Sequence, residues 1–208
     1  MHLIQRLEEY TRFSKGEIRE CTQLELPDLQ LRDFDFSPFD LNNSYFGGGS
    51  FFCCNFEKVY LSGSNFGGSK FVSCKFNYNE LVKAEWDEVI MENMEIDSIM
   101  AFRSTFCEST FRNIRIKNGD FKLCNFWSAK FDKVTFENCN FEQASFTDAS
   151  FSEVVFKDCI LPEKFPKEGV PKQGFYVKGR MSSFDRNLRN EVSEINGSGV
   201  PIETRHSP

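Results

Sequence analysis

Reactive side chains are few in this sequence, and their spacing does not suit catalysis. The only histidines are His2 and His206, near opposite ends of the 208 residues. No Cys–His pair stands in the chain, so an imidazole-activated thiolate has no support. Eight cysteines are present, but Cys53-Cys54 are too close in sequence to share a zinc ion, and no zinc spacing or phosphate-binding glycine loop occurs. Carboxylates do come in pairs, as in Asp87-Glu88, the residue type that general acid–base chemistry uses. Such a pair works in a closed, dry pocket, and the elements around it form an open flank. The sequence therefore predicts no enzyme, no metal and no cofactor.

Stepping out to those elements, one aromatic residue dominates. There are 25 Phe against 5 Tyr and 2 Trp. Phe brings a large apolar surface with no polar tip to satisfy, so the bias points to many dry sites of one shape. The net charge of −6 argues against direct nucleic-acid binding. The first residues meet charge at Arg6, Glu8 and Glu9 before any apolar run of signal-peptide length, and no stretch is apolar for the ~18 residues that a membrane span needs. The cysteines are read as reduced, buried small residues, and the location as cytoplasmic.

A period of five runs through the middle of the chain. Every fifth residue from Leu26 to Leu161 is large and apolar, including Phe36, Phe51, Phe71, Trp86, Met91, Phe111, Phe131 and Phe151, and only Ala101 is small. Two residues before each lies a mostly small side chain, such as Ser44, Cys54, Ser64, Cys74, Ala129 and Ala144. The remaining slots are mainly polar. Five fits neither the helix period of 3.6 nor the strand period of 2, so each unit must contain a turn. One unit cannot bury its Phe alone. The units must stack into a solenoid, with coils ~4.8 Å apart, the spacing of paired strands.

Small–polar–Phe/Leu–polar–polar resembles the pentapeptide-repeat family. Ala144-Ser145-Phe146-Thr147-Asp148 and Cys139-Asn140-Phe141-Glu142-Gln143 are good copies. The resemblance implies an all-β fold, a right-handed quadrilateral β-helix with four units per coil. About seven coils would make a rod of roughly 34 Å. It also implies a function. Some members are DNA mimics that bind type II topoisomerases, protecting or inhibiting gyrase, and often dimerise through a C-terminal helix. Members that confer resistance often carry loops projecting from the coils, whereas this register has no insertion from Leu26 to Leu161. The alternative is a protein-interaction scaffold, a toxin-immunity protein or an effector with an unknown partner.

With 20 residues per coil, four surface features become candidates. The first is an acidic patch of Glu80, Glu85, Asp87, Glu88, Glu92, Glu95 and Asp97, against which only Lys83 stands. The second is a basic run of Arg103, Arg112, Arg115, Lys117 and Lys122, read as balancing that patch. The third is Gly47-Gly48 stacked on Gly67-Gly68, where a partner can approach backbone. The fourth is a set of outward apolar residues, Phe52 above Val72, Val82 above Phe102, and Trp127.

Three segments follow. Residues 1–23 form an N-terminal cap, with near-helical spacing predicting a helix over roughly 2–14. Residues 24–161 form the solenoid. Its first coils are expected to be imperfect, because Leu24, Leu29, Phe34 and Phe39 fill slots that are small elsewhere. Residues 162–208 form an extension. Phe184, Leu188, Val192 and Ile195 predict a short helix over 182–195 that a homodimer would use, ahead of a disordered tail.

Overall fold

The computed structural model describes residues 2–165 and the strand Tyr176–Met181. It opens with one helix, α1 (Leu3–Ser14). The strands follow as β1 (Gln30–Arg32), β2 (Ser50–Phe52), β3 (Lys70–Val72), β4 (Phe76–Asn77), β5 (Ile90–Asp97), β6 (Thr110–Lys117), β7 (Lys130–Glu137), β8 (Ser150–Ser152), β9 (Val155–Leu161) and β10 (Tyr176–Met181). All pairing is parallel, and from β1 to β9 each residue faces the one 20 positions on, as in Leu31↔Phe51, Phe51↔Phe71 and Phe111↔Phe131. Single bridges continue the same step between the strands. Glu25, Tyr45, Asn65, Glu85, Thr105, Asn125 and Ser145 bridge in succession. Seven rungs and six one-turn steps make a solenoid of the expected length.

Four such ladders give the rod four sides, numbered here in chain order. Side I is centred on Leu26, Phe46, Phe66, Trp86, Phe106, Phe126 and Phe146. Sides II, III and IV are centred on the residues five, ten and fifteen positions later. Between sides the chain turns a corner. At every fifth position from Asp28 to Asp158 the backbone is left-handed, with φ between 51° and 72°, except at Pro38. The proline ring fixes φ near −65° and cannot take this corner. On sides I and IV many corners are closed by a hydrogen bond across three residues, as from the Ala129 N–H to the Phe126 carbonyl at 3.1 Å. The II-to-III corners at Asn93, Asn113 and Lys133 lie inside β5, β6 and β7 and bend them. A left-handed residue other than glycine costs about 1 kcal/mol. Burying one Phe in each unit stabilises by roughly 1.5–3 kcal/mol, which offsets it.

The core is four columns of large side chains, one from each side, with rings stacked coil on coil within a column and edge to face between columns. Phe131 lies 5.0 Å from Phe111 and 5.2 Å from Phe151, with ring planes within 8° of parallel. The small inward slots add cross-coil hydrogen bonds. The Ser69 hydroxyl donates to the Phe46 carbonyl at 2.9 Å and accepts from the Gly49 N–H at 3.0 Å. Five thiols, of Cys54, Cys74, Cys124, Cys139 and Cys159, are buried in this row, and all eight cysteines are free. Burial pushes the Cys124 thiol up to about 12, so it stays protonated and inert.

The ends differ. Helix α1 buries Leu7, Tyr10 and Thr11. Its Tyr10 hydroxyl donates to the Asn42 carbonyl at 2.6 Å, and Arg6 donates to the Glu25 carbonyl at 3.1 Å. It covers only part of the first coil, where Leu26, Leu29, Leu31, Phe34 and Phe39 remain half-buried. At the other end Phe165 packs on Phe146, Phe151 and Phe156. The five-residue pattern ends at Leu161, yet β10 in the extension adds a further rung on β9, starting at Tyr176↔Val155 and shifting register before Arg180. The helix expected over 182–195, its dimer and the disordered tail lie outside the described residues. Among those described, no helix is long and apolar enough to cross a membrane.

Candidate interaction faces

Outward slots one turn apart sit side by side, so the surface must be read at 20-residue intervals. Read that way, the sequence-adjacent acidic patch comes apart. Glu80 lies on side IV, Glu85, Asp87 and Glu88 on side I, Glu92 on side II, and Glu95 and Asp97 on side III. They ring one coil and share no single face.

On sides II and III acids and bases are mixed, and several pair across the coils. Glu92 pairs with Lys70 at 3.1 Å and also with Arg112, which in turn reaches Asp132 at 3.7 Å. Glu137 pairs with Arg115 at 2.9 Å and with Lys157. Hydrogen bonds from Lys157 and Arg115 hold its carboxyl at about 2, well below the usual range. Asp97 accepts from the Asn118 amide at 2.8 Å, which lowers its pKa, with the Ser98 hydroxyl adding to the effect. Glu95 and Asp97 line a shallow cleft with Tyr78, Arg115 and Lys117. On side IV, Lys122 pairs with Glu142 at 2.8 Å. Of the basic run only Arg112 pairs with an acid of the preceding patch, Glu92, among the described residues, while Arg115 and Lys122 pair with the next coil's Glu137 and Glu142.

Side I is different. Its outward slots hold Glu25, Asp28, Glu85, Asp87, Glu88, Glu108 and Asp148, and it carries no lysine or arginine in any coil. Sides II, III and IV have four, six and four acids against five, five and three bases over residues 24–158. Nearly all of the rod's net charge therefore stands on one face. The partners of these carboxylates are neutral. Asn65 donates to Glu85 at 2.8 Å, the Cys107 N–H to Asp87 at 2.7 Å, and the Trp127 indole to Asp148 at 3.2 Å. Lys83 and Arg103 stand at the corner with side IV, where the Arg103 guanidinium lies 5.2 Å from the centre of the Phe102 ring.

The glycine pairs lie on this same face. The Gly48 N–H donates to the Gly67 carbonyl at 2.9 Å. Between Asp28 and the Asp87-Glu88 pair they leave a stretch low in side chains, partly roofed by Tyr45, whose hydroxyl fills the place that a Cβ at Gly47 would take.

The apolar candidates fall on three sides. Phe52 and Val72 are register partners on side II, with the Arg32 guanidinium 5.1 Å from the Phe52 ring centre. Val82 and Phe102 lie on side IV, beside Tyr60 and Met100, which are 55% and 43% exposed. Sequence reasoning missed Tyr60 and Met100 because each sits between two inward apolar residues, Val59 and Leu61 or Ile99 and Ala101, and so reads as part of the core run. Trp127, 43% exposed, is on side I. Among the described residues, no group of three or more His, Cys, Asp or Glu could hold a metal ion.

The repeat itself carries the comparison. A model of pentapeptide repeats matches eight copies over residues 40–85 and 120–158, the segments whose units stack in register here. These segments are pentapeptide repeats. This pentapeptide-repeat rod is similar to several solved structures. A trypsin-treated variant of QnrB1, a plasmid-mediated fluoroquinolone resistance protein, is 19% identical, with 74% of this chain and 91% of that chain covered and a TM-score of 0.34. Rfr23, a pentapeptide-repeat protein from the cyanobacterium Cyanothece 51142, is 9% identical, with 82% and 98% covered and a TM-score of 0.32. HetL, involved in heterocyst differentiation regulation in the cyanobacterium Nostoc sp. strain PCC 7120, is 10% identical, with 84% and 91% covered and a TM-score of 0.28. No curated protein matches the chain.

Proposed function

We propose that this protein is a non-enzymatic binding rod, and that side I acts as a DNA mimic toward a type II topoisomerase such as gyrase. The observation that carries the reading is the charge of that side, seven carboxylates with no base among them. Averaged over six steps of ~4.8 Å this is one charge per ~4 Å, near the ~3.4 Å of phosphates along one DNA strand, with the charges concentrated at Glu25 and Asp28 and from Glu85 to Glu108 and none in the glycine stretch. Duplex DNA is denser, at one charge per ~1.7 Å. The mimicry is therefore of one strand edge, and it fits a surface that tracks a backbone.

A gyrase supercoiling assay tests this. Glu85→Lys with Glu88→Lys should abolish inhibition of gyrase or relief of quinolone poisoning. Glu92→Gln, on the mixed-charge side II, should leave either effect in place. Lysine already occupies equivalent slots at Lys70, Lys83 and Lys133, so the double variant should keep its melting temperature. Binding should weaken steeply with salt, because exposed charges are screened beyond ~8 Å at physiological ionic strength. A wild-type protein in excess with no effect on gyrase would end the topoisomerase reading.

A second reading, a scaffold for another protein, has its own support in the apolar residues of side IV, exposed Tyr60 and Met100 with half-buried Val82 and Phe102. It predicts loss of the partner on Phe102→Ala or Met100→Ala, with weak salt dependence.

A further inference from the structure

In the interior of the rod every coil satisfies the one before it. The N–H groups of Tyr45, Ser50 and Asn55 donate to the carbonyls of Leu24, Leu29 and Phe34, each at 2.8 Å. The equivalent groups in the first coil are the N–H groups of Glu25, Gln30 and Asp35, and no coil precedes them. Strand β1 pairs with β2 alone. Likewise, the carbonyls of Tyr45, Gly47, Phe52 and Asn55 accept from the first coil. Of their first-coil equivalents, only the Glu25 carbonyl has a partner among the described residues, the Arg6 guanidinium. Helix α1 bonds at Glu25, Asp40 and Asn42, which leaves the stretch around β1 uncovered.

Solenoid ends are normally capped, because a bare edge templates pairing with another strand. Here the bare edge adjoins half-buried Leu29, Leu31 and Phe34. Its rim holds Asp28, Asp33 and Asp35 against one base, Arg32, which is drawn down over the Phe52 ring. Hydrogen bonds from Ser37 hold the Asp35 carboxyl below its usual range, so it stays charged.

We infer that the β1 edge is a second docking site, which takes an extended partner segment of alternating apolar and basic residues as an added strand. Backbone pairing at Gln30 gives register. Apolar side chains cover Leu29 and Leu31, and lysines or arginines meet the aspartates. The same acidic rim disfavours a second copy of this chain, which would bring like charges together. The site lies at the end of the rod and does not depend on the topoisomerase reading of side I.

The probe is a synthetic Lys-Val-Lys-Val-Lys-Val peptide, with Glu-Val-Glu-Val-Glu-Val as control, added to the full-length protein. Amide exchange and chemical shifts are followed by NMR. The lysine peptide should slow exchange at the Gln30 N–H by at least tenfold and shift first-coil signals, and the glutamate peptide should do neither. Gln30→Pro removes only an N–H that has no partner among the described residues, so it should abolish binding with the melting temperature kept. If that variant misfolds, Asp28→Lys with Asp33→Lys gives the same test, since lysine occupies such corners at Lys58 and Lys83. Glu85→Lys with Glu88→Lys should leave peptide binding intact, which separates this site from side I. Equal binding of both peptides, or binding that survives Gln30→Pro, overturns the proposal. So does a Gln30 N–H already protected in the free protein, through self-association or cover by the chain itself.

Discussion

Leu31 and Phe131 occupy the same slot on the same side, five coils apart, and their surroundings are opposite. Phe131 is 2% exposed and has a ring stacked above and below it. Leu31 has a neighbour on one side only and is half-buried. The repeat pattern is the same in both places, so the difference lies in what each coil is stacked against. A unit in such a rod draws its stability from its two neighbours more than from its own residues.

Truncation of the two residues should give the largest contrast. Phe131→Ala is expected to cost roughly 3–5 kcal/mol, the range for an enclosed ring that leaves a cavity. Leu31→Ala should cost only about 1 kcal/mol, because its site is open and water fills it. Urea denaturation measures both, and equal losses would break the comparison. A smaller effect of opposite sign is expected at an interior corner. Leu123 is left-handed at φ 61°, and asparagine tolerates that region far better. Leu123→Asn should stabilise by up to about 1 kcal/mol, read as a higher urea midpoint.

The smallest effect sharpens the comparison through charge. Glu137 has partners both in the coil before it and in the coil after it. Its folded pKa of about 2 lies below the ordinary 4.5, so the unfolded chain takes up the proton first. Its contribution is fully present above about pH 4.5 and is lost as the pH falls toward 2. Melting temperature followed across that window should fall less steeply in Glu137→Gln. The change should be small, because the pair is exposed to solvent.

The core could be read directly from the sequence because one period governs it. Each inward slot recurs every five residues, and Phe46, Phe66 and Phe126 are where that count puts them. The imperfect first coil could also be read, from Leu29, Phe34 and Phe39 in small slots. The all-acidic side is not legible in consecutive residues, because its surface neighbours lie 20 residues apart. Glu88 and Glu92 are four residues apart yet on different sides, whereas Glu88 and Glu108 are adjacent on one. Taking every twentieth outward residue would have found it. Strand β10 had no such signal, since the five-residue pattern ends at Leu161 and the pairing resumes only at Tyr176.

The left-handed corners give the chain two nested reading frames. A corner every five residues fixes what points inward, and four corners fix which side a residue decorates. Deleting 20 residues from the middle removes one coil and leaves both frames in phase. Deleting five keeps every Phe in the core but advances the rest of the rod by a quarter turn. Asp148 would then leave side I for side IV, with the interior unchanged. In a protein built this way, a short indel can rewrite a face and spare the fold.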